Sequence, residues 1–118
     1  MTKFTLKIKP LSINMAFQGR RFKTAESRRY DNSMSLILPN KKEPGPFYSI
    51  QYDFYLKNFL STDYDNLIKQ TQDCIVRKGI ISDDRRIIKA IINKYMSDED
   101  GIAVEIESFS DCDGTPTL

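Results

Sequence analysis

The stretch that most limits the fold is residues 47–57, FYSIQYDFYLK. Its alternation places Ile50, Tyr52, Phe54 and Leu56 on one face, the period of a β-strand. Six residues between Phe47 and Phe59 are aromatic. Aromatic side chains fit a pleated, packed surface, so this segment reads as a central strand.

Other segments supply its neighbours. Residues 3–9 (KFTLKIK) set Phe4, Leu6 and Ile8 against Thr5, Lys7 and Lys9 as a half-buried strand, which Pro10 ends. Ile102, Val104 and Ile106 alternate with Ala103, Glu105 and Glu107 as another. Residues 85–96 (RRIIKAIINKYM) fit two periods. Ile87, Ile88, Ile91, Ile92 and Tyr95 match helical spacing, but the β-branched residues favour a strand, the assignment adopted. Residues 97–101 form a turn.

Two segments read as helices. Thr24 is placed to cap the first, with Glu26 in its first turn. Tyr30, Met34, Ile37 and Leu38 share its buried face and Pro39 stops it. Residues 40–46 (NKKEPGP) form a loop by composition, one free to move. From Asn66 a second helix carries Leu67, Ile68, Thr71, Cys74, Ile75 and Lys78 in a stripe. Gly79 suits its C-terminal cap. Asp65, Lys69 and Asp73 lie at i, i+4 and i+8 on another face. The expected fold is α/β (α+β): about four strands in a small mixed sheet and two main helices, one domain over 1–118. Residues 109–118 read as a flexible polar tail.

Composition narrows the chemistry. Of 118 residues, 40% are hydrophobic and 29% charged, which suits a globular protein. No apolar run approaches the roughly 20 residues of a membrane span. The N-terminus lacks a signal-peptide core, so a cytoplasmic location is expected. Cys74 and Cys112 form no CxxC, and neither spacing nor context supports a disulfide. Histidine is absent, which removes imidazole acid–base catalysis and the usual zinc sites. A metal here would be hard and oxygen-bound: Mg²⁺, Mn²⁺ or Ca²⁺.

The net charge of +2 hides an asymmetry. Residues 1–46 carry ten Lys/Arg against three Asp/Glu, and residues 47–118 carry eight against thirteen, so the halves are +7 and −5. A basic segment beside an acidic one suits an enzyme that grips a polyanion and cuts it with metals; uneven surface charge is the plainer alternative. Arg20, Arg21 and Lys23 follow Gly19 in an irregular stretch. With Arg28 and Arg29 at the helix start, and Lys7 and Lys9 on the first strand, they are candidate phosphate contacts. Phe17 and Phe22 read better as core anchors than as base-stacking groups.

The acid is concentrated in residues 61–84, STDYDNLIKQTQDCIVRKGIISDD. Asp63 and Asp65 stand where the helix begins, and Asp83 and Asp84 follow its end. Carboxylates this close raise each other's pKa unless a cation binds. Mg²⁺ would relieve the repulsion and activate water, and Lys69 could offer charge to a phosphate or leaving oxygen. A helix of about 12 residues spans roughly 18 Å. Asp84 therefore reaches Asp63 and Asp65 only if the chain after Gly79 runs back, or if a second subunit completes the site. Structural readings also exist: Asp63 or Asp65 as an N-cap, Lys69 paired with Asp65 and Asp73, Asp83–Asp84 as a solvated turn. An EF-hand loop fails because Ile68 stands where its glycine is needed. A phosphoaspartyl site fails because polar Ser61–Thr62 separates Asp63 from the strand.

The pattern D-x-D-N-x-x-K-x-x-x-D, then Gly, then DD stands here as Asp63-Tyr64-Asp65-Asn66, Lys69, Asp73, Gly79 and Asp83-Asp84. It resembles the RusA family of Holliday junction resolvases, common in phages and prophages. The likeness extends over Thr5–Glu107 and is sharpest at 63–84. It also weighs for a strand at 85–96. It implies a homodimer that resolves four-way DNA junctions by paired, Mg²⁺-dependent nicking in recombination and repair, with Mn²⁺ as a substitute. By position, Asp63, Asp65 and Asp84 would be catalytic carboxylates that bind the metal, with Lys69 catalytic. Asp83, a further metal candidate, and Asp73 occupy motif positions of less defined role. Family members often carry a basic residue before the first Asp, where this chain has Ser61-Thr62. DNA grip is then left to Arg20, Arg21, Lys23, Arg28 and Arg29. The alternatives are a non-catalytic branched-DNA-binding protein and a soluble domain with structural acids.

Overall fold

The computed structural model describes residues 1–12, 17–18 and 22–110. Four strands, β1 (Thr2–Leu6), β4 (Phe47–Leu56), β5 (Ile87–Met96) and β6 (Gly101–Phe109), form one mixed sheet in the order β1-β6-β4-β5. A two-residue pair, β2 (Phe17–Gln18) with β3 (Phe22–Lys23), forms a small hairpin inside the segment expected to be irregular. Two helices, α1 (Ala25–Ile37) and α2 (Ile68–Lys78), complete the α+β fold.

β4 is an interior strand, as its aromatic content implies. It pairs antiparallel with β6 and parallel with β5. Parallel neighbours need a crossover, and α2 supplies it between β4 and β5. Tyr48, Ile50, Tyr52, Phe54 and Leu56 are buried on one face of β4. Tyr30 and Met34 of α1, and Cys74 and Ile75 of α2, join them in a single apolar cluster with Ile102, Val104 and Ile106 of β6. The helices are tied to each other by Tyr30 Oη and Thr71 Oγ1 at 2.8 Å, and by Lys78 Nζ donating to the Ser35 carbonyl at 2.7 Å. On the opposite face Tyr55 stacks on Tyr95 with centroids 5.3 Å apart, and Lys3 pairs with Glu105 at 3.3 Å.

Local signals act as their chemistry requires. Thr24 accepts from the Ser27 amide at 3.1 Å and caps α1. Gly79 ends α2 at φ 85°, where its amide reaches the Ile75 and Val76 carbonyls. Three expectations need correction. Ile37 does not join the buried face of α1: it is 44% exposed, and the capping residue Leu38, 3% exposed, takes the buried place. The last strand runs to Phe109, so the polar tail starts later than 109; residues 111–118, with Cys112, lie outside those described. The 40–46 loop is not free. Its Glu43 is only 4% exposed and accepts from Thr2 Oγ1 at 2.6 Å and from Ser108 Oγ at 2.9 Å. The Met1 amino group lies 3.4 Å away. Burial pushes the Glu43 carboxyl pKa up, but these donors outweigh it and the net shift is downward. Gly45 has φ 70°, and a side chain there would meet the Tyr48 hydroxyl at 2.7 Å.

Candidate functional site

The chain leaves β4 through two short 3₁₀ turns, Phe59–Ser61 and Tyr64–Leu67, before α2 begins. Asp63 is the capping residue of the second turn, yet its side chain makes no capping hydrogen bond. Leu67, not an acid, precedes α2. The N-cap reading of these acids is therefore not realised. Asp63 and Asp65 are exposed. Tyr64 between them is 57% exposed, and Leu60 just before them is 90% exposed.

Lys69 lies one turn into α2 and pairs with Asp73 at 3.3 Å, the i,i+4 contact its spacing predicts. It makes no ion pair with Asp65 among the described residues. Asp73 in turn neighbours Tyr52. The Tyr52 hydroxyl donates to Gln72 Oε1 at 3.1 Å. Burial, helped by Tyr30 and the charges of Asp73 and Asp84, holds that hydroxyl well above its ordinary pKa. Asp84 and Asp73 are thus drawn toward the same buried tyrosine.

Asp83 and Asp84 differ sharply although adjacent. Asp83 caps the 3₁₀ turn Asp84–Arg86 by accepting from the Arg85 amide at 2.9 Å. Its carboxylate also takes the Arg85 guanidinium at 3.0 and 2.7 Å. The guanidinium bond, then the amide bond, lowers the Asp83 pKa to about 2. Asp83 is occupied by its own turn, whereas Asp84, half-buried, takes no part in that guanidinium pair.

The fold answers how the two acid groups relate. Ile87, three residues after Asp84, pairs with Tyr48 at the start of β4, whereas Asp63 follows the end of β4 at Leu56. At the far end of β5, Lys94 donates to the Thr62 carbonyl at 2.6 Å. Lys94 stands seven residue steps along the strand from Ile87, about 23 Å at roughly 3.3 Å per step. The chain after Gly79 enters β5 through the 3₁₀ turn Asp84–Arg86, at the start of the strand pair, whereas Asp63 follows the end of β4. Among the described residues no group of three or more Asp, Glu, Cys or His side chains is arranged to hold a metal ion.

The basic candidates fall into two sets. Lys7 and Lys9 after β1, and Arg28 and Arg29 on α1, are exposed. Arg20 and Arg21 lie outside the described residues, and only the backbone of Lys23 is described. Cys74 is no nucleophile: burial first, then Asp31, pushes its thiol to about 12. No described helix is long and apolar enough to cross a membrane.

A mixed sheet crossed by an acid-bearing helix, with exposed aspartates at the helix entry that no side chain pairs among the described residues, defines a small α+β protein. The model of the family described as Endodeoxyribonuclease RusA matches residues 12–107. The chain belongs to the RusA endodeoxyribonuclease family, and is a nuclease acting on Holliday junctions. No curated protein sequence matches it.

Sequence reasoning did not single out Lys94, Gln72 or Tyr64. Lys94 and Gln72 matter only through residues far away in the chain, so no local period marks them. Tyr64 was legible as an aromatic between two acids.

Proposed function

We propose that this chain is a Mg²⁺-dependent endonuclease, accepting Mn²⁺, that resolves four-way DNA junctions as a homodimer by paired nicking. The observation that carries this reading is the pair of uncapped, exposed carboxylates at Asp63 and Asp65. Asp63 stands at a capping position and makes no capping bond. The pair's hard oxygens fit Mg²⁺ or Mn²⁺. Asp63 and Asp65 from one copy, with Asp84 from the other, would hold the ion. The parallel register supports this sharing, since Asp84 precedes the start of β5 while Asp63 follows the end of β4. A bound divalent ion supplies a more acidic water and neutralises developing phosphate charge.

The protein's own groups do the rest. Lys69, exposed and one turn from Asp65, offers positive charge to the scissile phosphate, while Asp73 holds its ammonium in place. Lys7, Lys9, Arg28 and Arg29, with Arg20, Arg21 and Lys23, grip the backbone of the arms. Two sites related by a two-fold axis match the two-fold symmetry of the junction. The decisive experiment incubates a labelled four-way junction and a matched duplex with and without Mg²⁺, beside Asp65→Asn. Symmetric nicks that need both Mg²⁺ and Asp65 support the reading. A gel shift without nicking replaces it with a branched-DNA-binding protein. Equal cutting by wild type and variant overturns the site.

A further inference from the structure

We propose that Lys94 is a positioning residue: a strut from the rigid sheet that fixes the turn carrying Asp63 and Asp65. This rests on the endonuclease reading of those acids. Lys94 is on β5, and its register partner is Phe54, a fully buried core residue of β4. Alternation therefore aims Lys94 at the helix side of the sheet, where an unpartnered ammonium would be costly. Its partners are specific. Nζ donates to the Thr62 carbonyl at 2.6 Å and stands over the Phe59 ring at 4.2 Å from the centroid. Both belong to the link between β4 and the acid turn, and Thr62 directly precedes Asp63.

Among the described residues, the other hydrogen bonds of Asn58–Thr62 stay within the link. The Ser61 amide and hydroxyl both return to the Asn58 carbonyl, bonds internal to the turn. The Thr62 hydroxyl is buried without a partner among the described residues. Lys94 is thus the polar tie from Thr62 to a ten-residue strand that is hydrogen-bonded to β4 along its length. A charge-assisted bond of this length is among the stronger kinds, and the ring face adds a cation–π contribution. The ammonium is spent on the carbonyl and the ring, so its role is to set where the two carboxylates stand.

The test compares wild type with Lys94→Met, Lys94→Arg and Phe59→Leu. Hydrogen exchange of amides 61–66 is read first, because it does not require activity. Lys94→Met is expected to speed exchange there by about tenfold, the scale of one lost contact of roughly 1.4 kcal/mol, with β4 and β6 unchanged. Lys94→Arg, which can reach the same carbonyl and ring, is expected to restore slow exchange. On a four-way junction, Lys94→Met should lower the single-turnover rate at least about tenfold at saturating Mg²⁺, as misplacement of reacting groups does. Junction affinity should stay within about twofold, since the ammonium contacts no phosphate. Unchanged exchange at 61–66 overturns the proposal whether or not the enzyme cuts. Lost affinity at an unchanged rate also overturns it, making Lys94 a DNA contact. If Lys94→Met fails to fold, Phe59→Leu carries the same two readouts with smaller effects in the same direction. If wild type does not nick the junction, the endonuclease reading fails, while the exchange result still judges the strut.

Discussion

Glu43 and the Asp63–Asp65 pair show what the fold does with carboxylates it needs for opposite ends. Glu43 is buried and takes hydrogen bonds from Thr2 and Ser108, which join the first strand, a Pro/Gly loop and the last strand of the sheet. Asp63 and Asp65 face solvent, and Asp63 sits at a capping position without capping. One carboxylate is satisfied and holds structure. The other two remain available to a ligand. The difference teaches that acid content alone says little; what counts is whether the protein has already supplied the donors.

Substitution breaks or sharpens this contrast. Asp65→Asn should lower junction cleavage by at least about a hundredfold, because the carboxylate would hold the ion that stabilises transition-state charge. Its melting temperature should remain close to that of wild type, since the exposed Asp65 side chain makes no hydrogen bond or ion pair among the described residues. A matching loss of stability would erase the contrast. A mixture of Asp65→Asn and Asp84→Asn chains should recover nicking that neither shows alone, because mixed dimers hold one intact site. No recovery on the junction would refute the shared site.

Glu43→Ala should do the reverse: a loss of about 2–3 kcal/mol in denaturant unfolding, from charged hydrogen bonds removed and Thr2 and Ser108 left without their acceptor. The folded Glu43 pKa is depressed, so its contribution is present above the unfolded value of about 4.3 and is lost as pH falls through the lower folded value. The stability gap between wild type and Glu43→Gln should therefore narrow as pH is taken from neutral into that acid window. A gap that widens would contradict the depressed pKa. The smallest effect is expected at Asp83→Asn, since Asn caps about as well as Asp. Cleavage there should stay close to wild type, whereas Asp84→Asn should not.

Much of the fold was legible because its signals are local. Alternation marked β4 and β6, Thr24 and Gly79 marked helix ends, and the β-branched run at 85–96 became β5 as assigned. The errors arose where distant partners decide. Nothing near Glu43 announces that Thr2 and Ser108 will reach it, so composition alone made the loop look free. Ile37 carried the right hydrophobicity, but at the helix end the capping residue Leu38 fills the core place instead. At the site, the motif gave residue identities, and helix length gave the constraint on Asp84. Only the parallel pairing of β4 with β5 shows that Asp84 precedes the start of the strand pair while Asp63 follows the end of β4. Asp83 and Asp84 look alike in sequence; Arg85 separates them.

That parallel pairing also bears on dose. If each acid site draws on two copies, a single chain is half an enzyme, and cutting rises with the square of protein concentration while dimers are scarce. A nuclease built this way would be silent when dilute and would act where copies gather, which a four-way junction with two equivalent faces encourages.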